Sequence, residues 1–275
     1  MNLLVQLTTL DVNTDSYTRP DISHMPKLTD VVLYNGAGGI SVRLPVSVKT
    51  LHIRHKLVAH VYAVGFPVNL GKLTQLTKLR IEHVRLYDAH WLQVQTCAAL
   101  CLARDDVGFR YLSLINCDLM MALEWIAQHV GLEHLNLSQN HIKEFPPQYA
   151  DLLNLRSLSI GNDIEVSEYL PITNFMQGIR FPDFIYALQR LESLDISGFF
   201  EGRPYQEVDN FFVPVLYMQM ERLTHLTSLN MSANRFRVVR HFFSPAPIVV
   251  TNCVCVGCRI VRLSGECFVL CLTRL

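Results

Sequence analysis

The sequence has little charge of either sign and no long hydrophobic run. Only 17% of its 275 residues are charged, and 24 basic side chains balance 24 acidic ones, so the formal net charge is zero. A chain without excess positive charge has no extended basic surface for a polyanion, and we expect no nucleic-acid partner. The most apolar stretch, 248–275, is interrupted by arginines and a glutamate, so we also expect no membrane span.

Catalytic signatures are also missing. The sequence contains no nucleophile elbow GxSxG, no HExxH zinc motif, no P-loop and no GxGxxG. The glycines of the NGAGG stretch, Gly36, Gly38 and Gly39, are not followed by a Lys-Ser or Lys-Thr pair and predict a loose turn. Carboxylates do not occur at a spacing suited to general acid–base catalysis. We therefore expect no enzyme activity, no catalytic residue and no cofactor.

Three of the eight cysteines are spread along the chain. We interpret these, Cys97, Cys101 and Cys117, as small buried hydrophobic residues. The N-terminal residues lack the basic region of a secretory signal, which favours a reducing compartment. We expect a cytoplasmic location, with the nucleus as the alternative.

What the sequence does contain is a recurring Leu-x-x-Leu-x-Leu phrase. In the clearest copy, LEHLNLSQNHI, Leu132, Leu135, Leu137, Asn140 and Ile142 occupy positions 1, 4, 6, 9 and 11. The alternating leucines predict a short strand with one apolar face, and Asn140 predicts an inward turn that is hydrogen-bonded to a neighbouring coil. One such unit cannot bury its own apolar face, so copies must stack.

Nine segments fit this phrase with varying quality. Copies at 109–119 and 226–236 keep all five anchors, although Cys117 replaces the asparagine in the first of them. The predicted strands begin from first anchors at positions 7, 28, 48, 76, 109, 132, 155, 191 and 226. Between the strands, helical patterns occur at 88–102, 120–130, 183–190 and 214–223, whereas 143–155 predicts an extended segment.

The copies at 109–119, 132–142 and 226–236 resemble those of leucine-rich-repeat proteins. The resemblance extends over roughly 7–240 and implies an α/β fold. That fold is a solenoid, a curved rod with a parallel β-sheet on its concave face and helices or extended segments on its convex face. We expect it to span residues 1–247. Such proteins generally bind other proteins through the concave face.

A narrower resemblance concerns two of the copies. The stretches LESLDISG (191–198) and LTSLNMSAN (226–234) are similar to repeats of the substrate receptors of cullin-RING ubiquitin ligases. This resemblance implies substrate recognition as the function and a cullin adaptor as a further partner.

The other five cysteines, Cys253, Cys255, Cys258, Cys267 and Cys271, lie within the last 25 residues. Three interpretations stay open. The first is a zinc knuckle, although the spacing departs from paired CxxC motifs and no histidine lies nearby. The second is a disulfide-bonded cap like those of extracellular leucine-rich repeats. The third, which we favour, is an irregular Val- and Cys-rich segment at 248–275 without a metal or other site.

Outward-facing residues of neighbouring repeats form columns, because adjacent strands lie ~4.8 Å apart. Two adjacent predicted strands carry a cluster of charged residues at repeat positions 5, 7 and 8, with a tyrosine on either side. This strand-face patch consists of Tyr34, His52, Arg54, His55, Arg80, Glu82, His83 and Tyr111. We expect Arg54 to pair with Glu82, which leaves Arg80 and the histidines as a cationic spot. Arginine and tyrosine are common anchors of protein recognition, so we predict that the patch binds an acidic or carboxylate-bearing peptide segment.

The expected function is that of an interaction module or scaffold that binds a partner protein on its concave face. One alternative is the substrate-recognition subunit of a cullin-RING ubiquitin ligase, although no adaptor-binding box is recognisable in the sequence. The other is a fragment of a leucine-rich-repeat receptor ectodomain, which requires disulfides among Cys253 to Cys271.

Overall fold

In the computed structural model the chain divides into two compact units, Met1–Asp118 and Leu119–Leu275. The structure describes residues 6–14, 21–35, 42–55, 67–84, 94–98, 108–142, 144–161, 182–198, 216–218, 222–230, 238–241, 258–263 and 266–271. The predicted turn at Gly36, Gly38 and Gly39 lies outside these residues, as do Cys101, Cys253 and Cys255. Across the described ranges, no helix is long and apolar enough to cross a bilayer.

The first unit contains five parallel strands, each paired with the next along the chain. They are β1 (Thr9–Thr14), β2 (Asp30–Asn35), β3 (Thr50–His55), β4 (Lys78–Glu82) and β5 (Tyr111–Ile115). Their register aligns the same repeat position in every strand, so that Val31, Leu51, Leu79 and Leu112 form one row. This row is buried.

The described residues of the second unit include eight strands in two sheets. They are β6 (His134–Asn136), β7 (Ser157–Ser159), β8 (Ser193–Asp195), β9 (Leu216–Met218), β10 (Ser228–Asn230), β11 (Val238–His241), β12 (Cys258–Leu263) and β13 (Glu266–Cys271). Strands β6, β7, β8 and β10 are parallel and adjacent in that order, and their register aligns Leu135, Leu158, Leu194 and Leu229 in one buried row. The other four form a separate sheet in the order β12-β13-β11-β9.

All nine predicted repeat strands are present, five in the first unit and four in the second. Each unit therefore has the leucine-rich-repeat fold, and the predicted fold class is confirmed. Its interior is built from leucines that the alternation of each strand turns to one face. Full burial of such a side chain contributes about 1.5–3 kcal/mol, so the aligned rows are the main source of stability in both units.

In two of the copies, the residue at repeat position 9 is buried and hydrogen-bonded to the backbone, as the repeat predicts. Asn140 is fully buried, its side-chain Oδ1 accepts a hydrogen bond from the Leu119 amide at 3.2 Å, and its Nδ2 donates to the Leu137 carbonyl at 2.9 Å. In the first unit the buried Cys117 thiol replaces this asparagine and donates to the Ile81 carbonyl, with 3.5 Å between sulfur and oxygen. Each side chain thus provides a hydrogen-bond partner for a backbone group of the preceding repeat, Leu119 N–H or the Ile81 carbonyl. Buried backbone groups need such partners.

The connections between strands are tighter than predicted. The patterns at 120–130 and 183–190 form the 3₁₀ helices Glu124–Gln128 and Asp183–Ala187, and a third, Pro147–Asp151, replaces part of the expected extended segment. The reason is the spacing of three residues between buried side chains such as Ile185, Leu188 and Leu191, because side chains three apart align on a 3₁₀ helix. Of the pattern at 88–102, residues 94–98 are described, and they are helical.

Two predictions for the C-terminal half are wrong. The helix expected at 214–223 contains the strand β9, which pairs with β11 in parallel. The segment 248–275, expected to be irregular, contains the antiparallel hairpin of β12 and β13, and β13 also pairs with β11. The two strands form because both segments are rich in apolar and β-branched residues: Ile260 and Val261 in β12, and Phe268, Val269 and Leu270 in β13.

Candidate functional site

The predicted strand-face patch lies on the first unit, on strands β2 to β5. The register places Tyr34, Arg54 and Glu82 in one row across β2, β3 and β4, and places His52 beside Arg80 in the next row. These side chains alternate with the buried Leu51, Ile53, Leu79 and Ile81, so they project from the opposite face of the sheet to the core.

Glu82 is the centre of the patch. Its side chain is only 6% exposed, and three cationic or polar side chains bind it. His52 Nε2 lies 3.1 Å from Glu82 Oε2, Arg54 Nε lies 3.5 Å from the same oxygen, and Arg80 Nε donates to Oε1 at 2.5 Å. A second Arg80 nitrogen, Nη2, also bonds Oε1.

These contacts keep the Glu82 carboxylate ionised. Burial acts to raise the pKa of Glu82, but hydrogen bonds and positive charge from His52 and Arg80 outweigh it and lower the pKa from 4.5 to about 2. A buried carboxylate with several charge-assisted hydrogen bonds has a fixed position. Glu82 therefore holds the guanidinium groups of Arg54 and Arg80 in place.

The structure changes the predicted charge arrangement. Arg54 does pair with Glu82, as expected, but His52 and Arg80 bind the same carboxylate and do not form a separate cationic spot. The reason is geometric. Arg80 and Glu82 are two residues apart on one strand and share its outward face, and His52 lies directly beside Arg80 on the neighbouring strand.

The structure describes the side chain of one of the two remaining histidines, His83. His83 has a positive φ of 57°, and its Nδ1 lies 3.1 Å from the side-chain Nδ2 of Asn116. The backbone of His55 ends β3, and its side chain lies outside the described part of the chain. Within the described ranges, no three His, Cys, Asp or Glu side chains are grouped so that they could hold a metal ion.

The two tyrosines lie on either side of the charged residues. Tyr34 on β2 is 38% exposed, and it is the register partner of Arg54. Tyr111 on β5 carries the Lys78 ammonium over its ring, 4.5 Å from the ring centroid. Lys78 was not among the predicted site residues. Lys78 occupies repeat position 3 on β4, and Tyr111 occupies the same position on the neighbouring strand β5. Comparing position 3 between these two strands therefore identifies Lys78.

Comparison with known proteins agrees with this geometry. A leucine-rich-repeat family model matches residues 131–152, and those residues contain β6 and its buried Asn140. The match and the parallel strands together show a leucine-rich-repeat fold. No curated protein matches its sequence.

Several solved leucine-rich-repeat structures are similar to this protein at low sequence identity. A leucine-rich-repeat protein of Leptospira interrogans is 16% identical, with 88% of this chain and 69% of that chain covered and a TM-score of 0.44. An internalin of Listeria monocytogenes is 17% identical, with coverages of 78% and 64% and a TM-score of 0.42. The ectodomain of the Arabidopsis receptor kinase HAESA, in complex with a peptide hormone, is 14% identical, with coverages of 80% and 38% and a TM-score of 0.40.

The strand-face patch and the neighbouring Lys78 together carry a net positive charge. Lys78, Arg54 and Arg80 contribute three positive charges against the single negative charge of Glu82, which leaves two. The side chains of Arg54 and Arg80 are 54% and 39% exposed, whereas that of Glu82 is buried. The buried negative charge thus lies beneath exposed positive ones, and an anion from solvent meets the guanidinium groups.

Proposed function

We propose that this protein is an interaction module whose concave strand face binds a partner protein, and that the strand-face patch receives an acidic segment of that partner. The observation that carries the proposal is the pair of exposed guanidinium groups held by one buried carboxylate. Arginine held in this way offers its remaining N–H groups to a carboxylate or phosphate without losing side-chain freedom on binding.

The donors for such a ligand can be identified. Arg54 uses Nε toward Glu82, and Arg80 uses Nε and Nη2. With respect to the described residues, these are all the polar contacts that the two guanidinium groups make, so both Nη atoms of Arg54 and Nη1 of Arg80 have unused N–H groups. Planar pairs of N–H donors match the two oxygens of a carboxylate.

The flanking tyrosines set the length of the ligand. Tyr34 and Tyr111 are three strands apart across the sheet, about 14 Å at ~4.8 Å per strand, and four residues apart along the strands, about 13 Å at ~3.3 Å per residue. The diagonal between them is about 20 Å, which an extended peptide covers with about six residues at ~3.3 Å each. A segment with a central Asp or Glu and an apolar residue toward each end therefore suits the patch, since tyrosine rings contribute strongly to protein interfaces.

Charge reversal of the two arginines tests this proposal. We expect the Arg54→Glu/Arg80→Glu double variant to lose binding to labelled glutamate-rich peptides that the wild-type protein binds in fluorescence anisotropy. The matched control is Arg156→Glu/Arg190→Glu, which reverses the same number of charges at exposed positions of the second unit. Unchanged peptide affinity in the first variant, with circular dichroism showing an intact fold, would overturn the proposed role of the patch.

Affinity purification with the same variants tests the wider function. We expect partner proteins that are recovered with the wild type and with the control variant to be absent with the patch variant. Recovery of a cullin adaptor in this experiment would support the ubiquitin-ligase alternative. Equal recovery of every protein by all three forms would contradict recognition through the patch.

A further inference from the structure

The hairpin of β12 and β13 brings two of the five C-terminal cysteines into register. Only residues 264 and 265 separate the two strands, and the Cα partners run from Leu263 with Glu266 to Cys258 with Cys271. The two cysteines are therefore directly opposite each other at the open end of the hairpin. We propose that Cys258 and Cys271 form a cross-strand disulfide bond, which makes this hairpin a site of thiol oxidation.

The position of the pair along the ladder determines whether a disulfide fits there. In a hairpin with a two-residue loop, the pair next to the loop is hydrogen-bonded, and bonded and non-bonded pairs alternate beyond it. Leu263 with Glu266 is the loop pair, and Cys258 with Cys271 is the fifth pair after it. The cysteines thus occupy a non-hydrogen-bonded pair.

Backbone spacing at such a pair suits a disulfide. Opposite Cα atoms of a non-hydrogen-bonded pair are about 4.5 Å apart, closer than the ~5.5 Å of hydrogen-bonded pairs. Disulfide-linked cysteines have Cα atoms about 4.4–6.8 Å apart. The register therefore accommodates the bond without moving either strand.

The register also distinguishes this pair from the other described cysteine of the hairpin. Cys267 has Arg262 as its partner on β12 and His241 as its partner on β11, so no cysteine is opposite it on either neighbouring strand. Cys97 and Cys117 belong to the first unit, where both are buried, and burial raises the pKa of the Cys117 thiol and keeps it protonated. A protonated buried thiol is a poor nucleophile.

Oxidised glutathione, a small disulfide, is the oxidant that we assign to the step. The thiolate of one cysteine attacks its S–S bond, forms a mixed disulfide and releases one glutathione thiolate. The second cysteine thiolate then attacks the protein-bound sulfur and releases the second glutathione. Two protein thiols lose two protons and two electrons, and one oxidised glutathione becomes two reduced molecules.

Peptide mapping of the full chain tests the proposal. The protein is equilibrated with oxidised and reduced glutathione, alkylated, and digested with trypsin without reduction. Cleavage after arginine separates peptide 241–259, which contains Cys258, from peptide 263–274, which contains Cys271. We expect a disulfide between these two peptides, and fragmentation should assign it to Cys258 and Cys271.

Substitutions and denaturant provide the controls. Cys258→Ser and Cys271→Ser should each abolish the link, whereas Cys255→Ser and Cys267→Ser should retain it. In denaturant the share of Cys258–Cys271 among links between the two peptides should fall to roughly one in six, the value for random pairing of three cysteines with two. A native link through Cys253, Cys255 or Cys267, the same distribution with and without denaturant, or no link at all would overturn the proposal.

Discussion

Both units bury rows of leucines, but the residues on their outward strand faces differ in chemical character. In the first unit the face carries arginine, lysine, histidine and tyrosine around the buried Glu82. In the second unit the corresponding positions carry small polar side chains that bind each other. Asn136 Oδ1 accepts hydrogen bonds from the Ser138 amide and hydroxyl at 2.9 and 2.6 Å, and Ser159 donates to Asp195 at 3.2 Å.

The difference shows that the residues that stabilise the repeat fold and the residues that are free to vary lie on opposite faces of each strand. Core positions are restricted in both units, because each strand must bury its leucine row. Outer positions are restricted only by their neighbours on the sheet. Side chains of the second unit use much of their hydrogen-bonding capacity on each other, whereas the exposed arginines of the first unit keep N–H groups for a ligand. This contrast is the reason why we propose that partner binding occurs on the first unit.

The largest effect should come from the shared interior. Leu79 in the first unit and Leu158 in the second are both buried in aligned rows. Leu79→Ala and Leu158→Ala should each lower the free energy of unfolding by about 2–5 kcal/mol, because each leaves a cavity. Hydrogen exchange of the full chain, analysed by mass spectrometry, measures the loss in each unit.

The controls for this pair are exposed apolar residues, Val46→Ala in the first unit and Leu153→Ala in the second, which should change stability little. A loss below about 1 kcal/mol for either core variant would show that the two interiors are not equivalent.

Acidification should separate the two units. Stabilisation by Glu82 in the first unit is complete above its unfolded pKa of 4.5 and is lost as the pH falls toward its folded pKa of about 2. In the second unit, burial lowers the pKa of His129 from 6.5 to about 4, so the unfolded chain binds a proton first and stability is lost between pH 6.5 and 4. Each effect amounts to at most about 3 kcal/mol.

Hydrogen exchange corrected for the intrinsic effect of pH checks this order of events. Protection in the second unit should decrease between pH 6.5 and 4, before that of the first unit decreases. His129→Phe should remove the first decrease, and Glu82→Gln should remove the second while lowering stability at neutral pH. Simultaneous loss of protection in both units, unchanged by either variant, would contradict the assignment.

The sequence predicted the strands well because their signal is local. Alternating leucines at fixed offsets identified Leu135, Leu158, Leu194 and Leu229 as core residues, and the structure buries all four. The type of helix in the short connections was harder to predict. A 3₁₀ helix has three residues per turn and an α-helix 3.6, and a few apolar positions are too few to distinguish the two periods. Strands β9 and β11–β13 pair outside the repeat, so the leucine phrase carries no information about them.

The sequence predicted which residues of the candidate site share the outward strand face, but not the contacts between their side chains. Repeat columns placed Arg54, Arg80 and Glu82 side by side, and the register confirms this. Which cation binds Glu82 depends on side-chain reach and on the burial of the carboxylate, and neither follows from column positions. The same limit applies to the contact of His83 with Asn116 on the next repeat.

A smaller effect should distinguish the close packing of the second unit. A Cβ atom on Gly161 would lie 2.5 Å from Ser197 Oγ, 2.7 Å from Ser197 N and 2.8 Å from Asp195 Oδ1. Because one of these atoms is backbone and cannot rotate away, Gly161→Ala should cost about 1–3 kcal/mol. The equivalent position of the first unit holds Glu82, which has a full side chain.

Gly131→Ala is the matched control, since a Cβ there meets no atom within 4 Å. Chemical denaturation of both variants measures the difference. Equal stability of the two alanine variants would mean that Ser197 and its turn shift freely, and that the second unit's outer face is as open to change as that of the first.

The smallest effect concerns a turn that both units share. The residue at repeat position 8 has a positive φ in both units, 57° at His83 and 58° at Gln139. Glycine at this position relieves about 1–2 kcal/mol of strain and costs about 0.5–1 kcal/mol in chain entropy. In the second unit the buried Gln139 side-chain oxygen has no hydrogen-bond partner among the described residues, so Gln139→Gly should raise the free energy of unfolding by about 0.5–1 kcal/mol. In the first unit His83→Gly also loses the contact with Asn116 and should leave stability nearly unchanged. Denaturant midpoints of the two variants measure this contrast, and an equal gain from both would show that the His83 contact contributes nothing to the first unit's face.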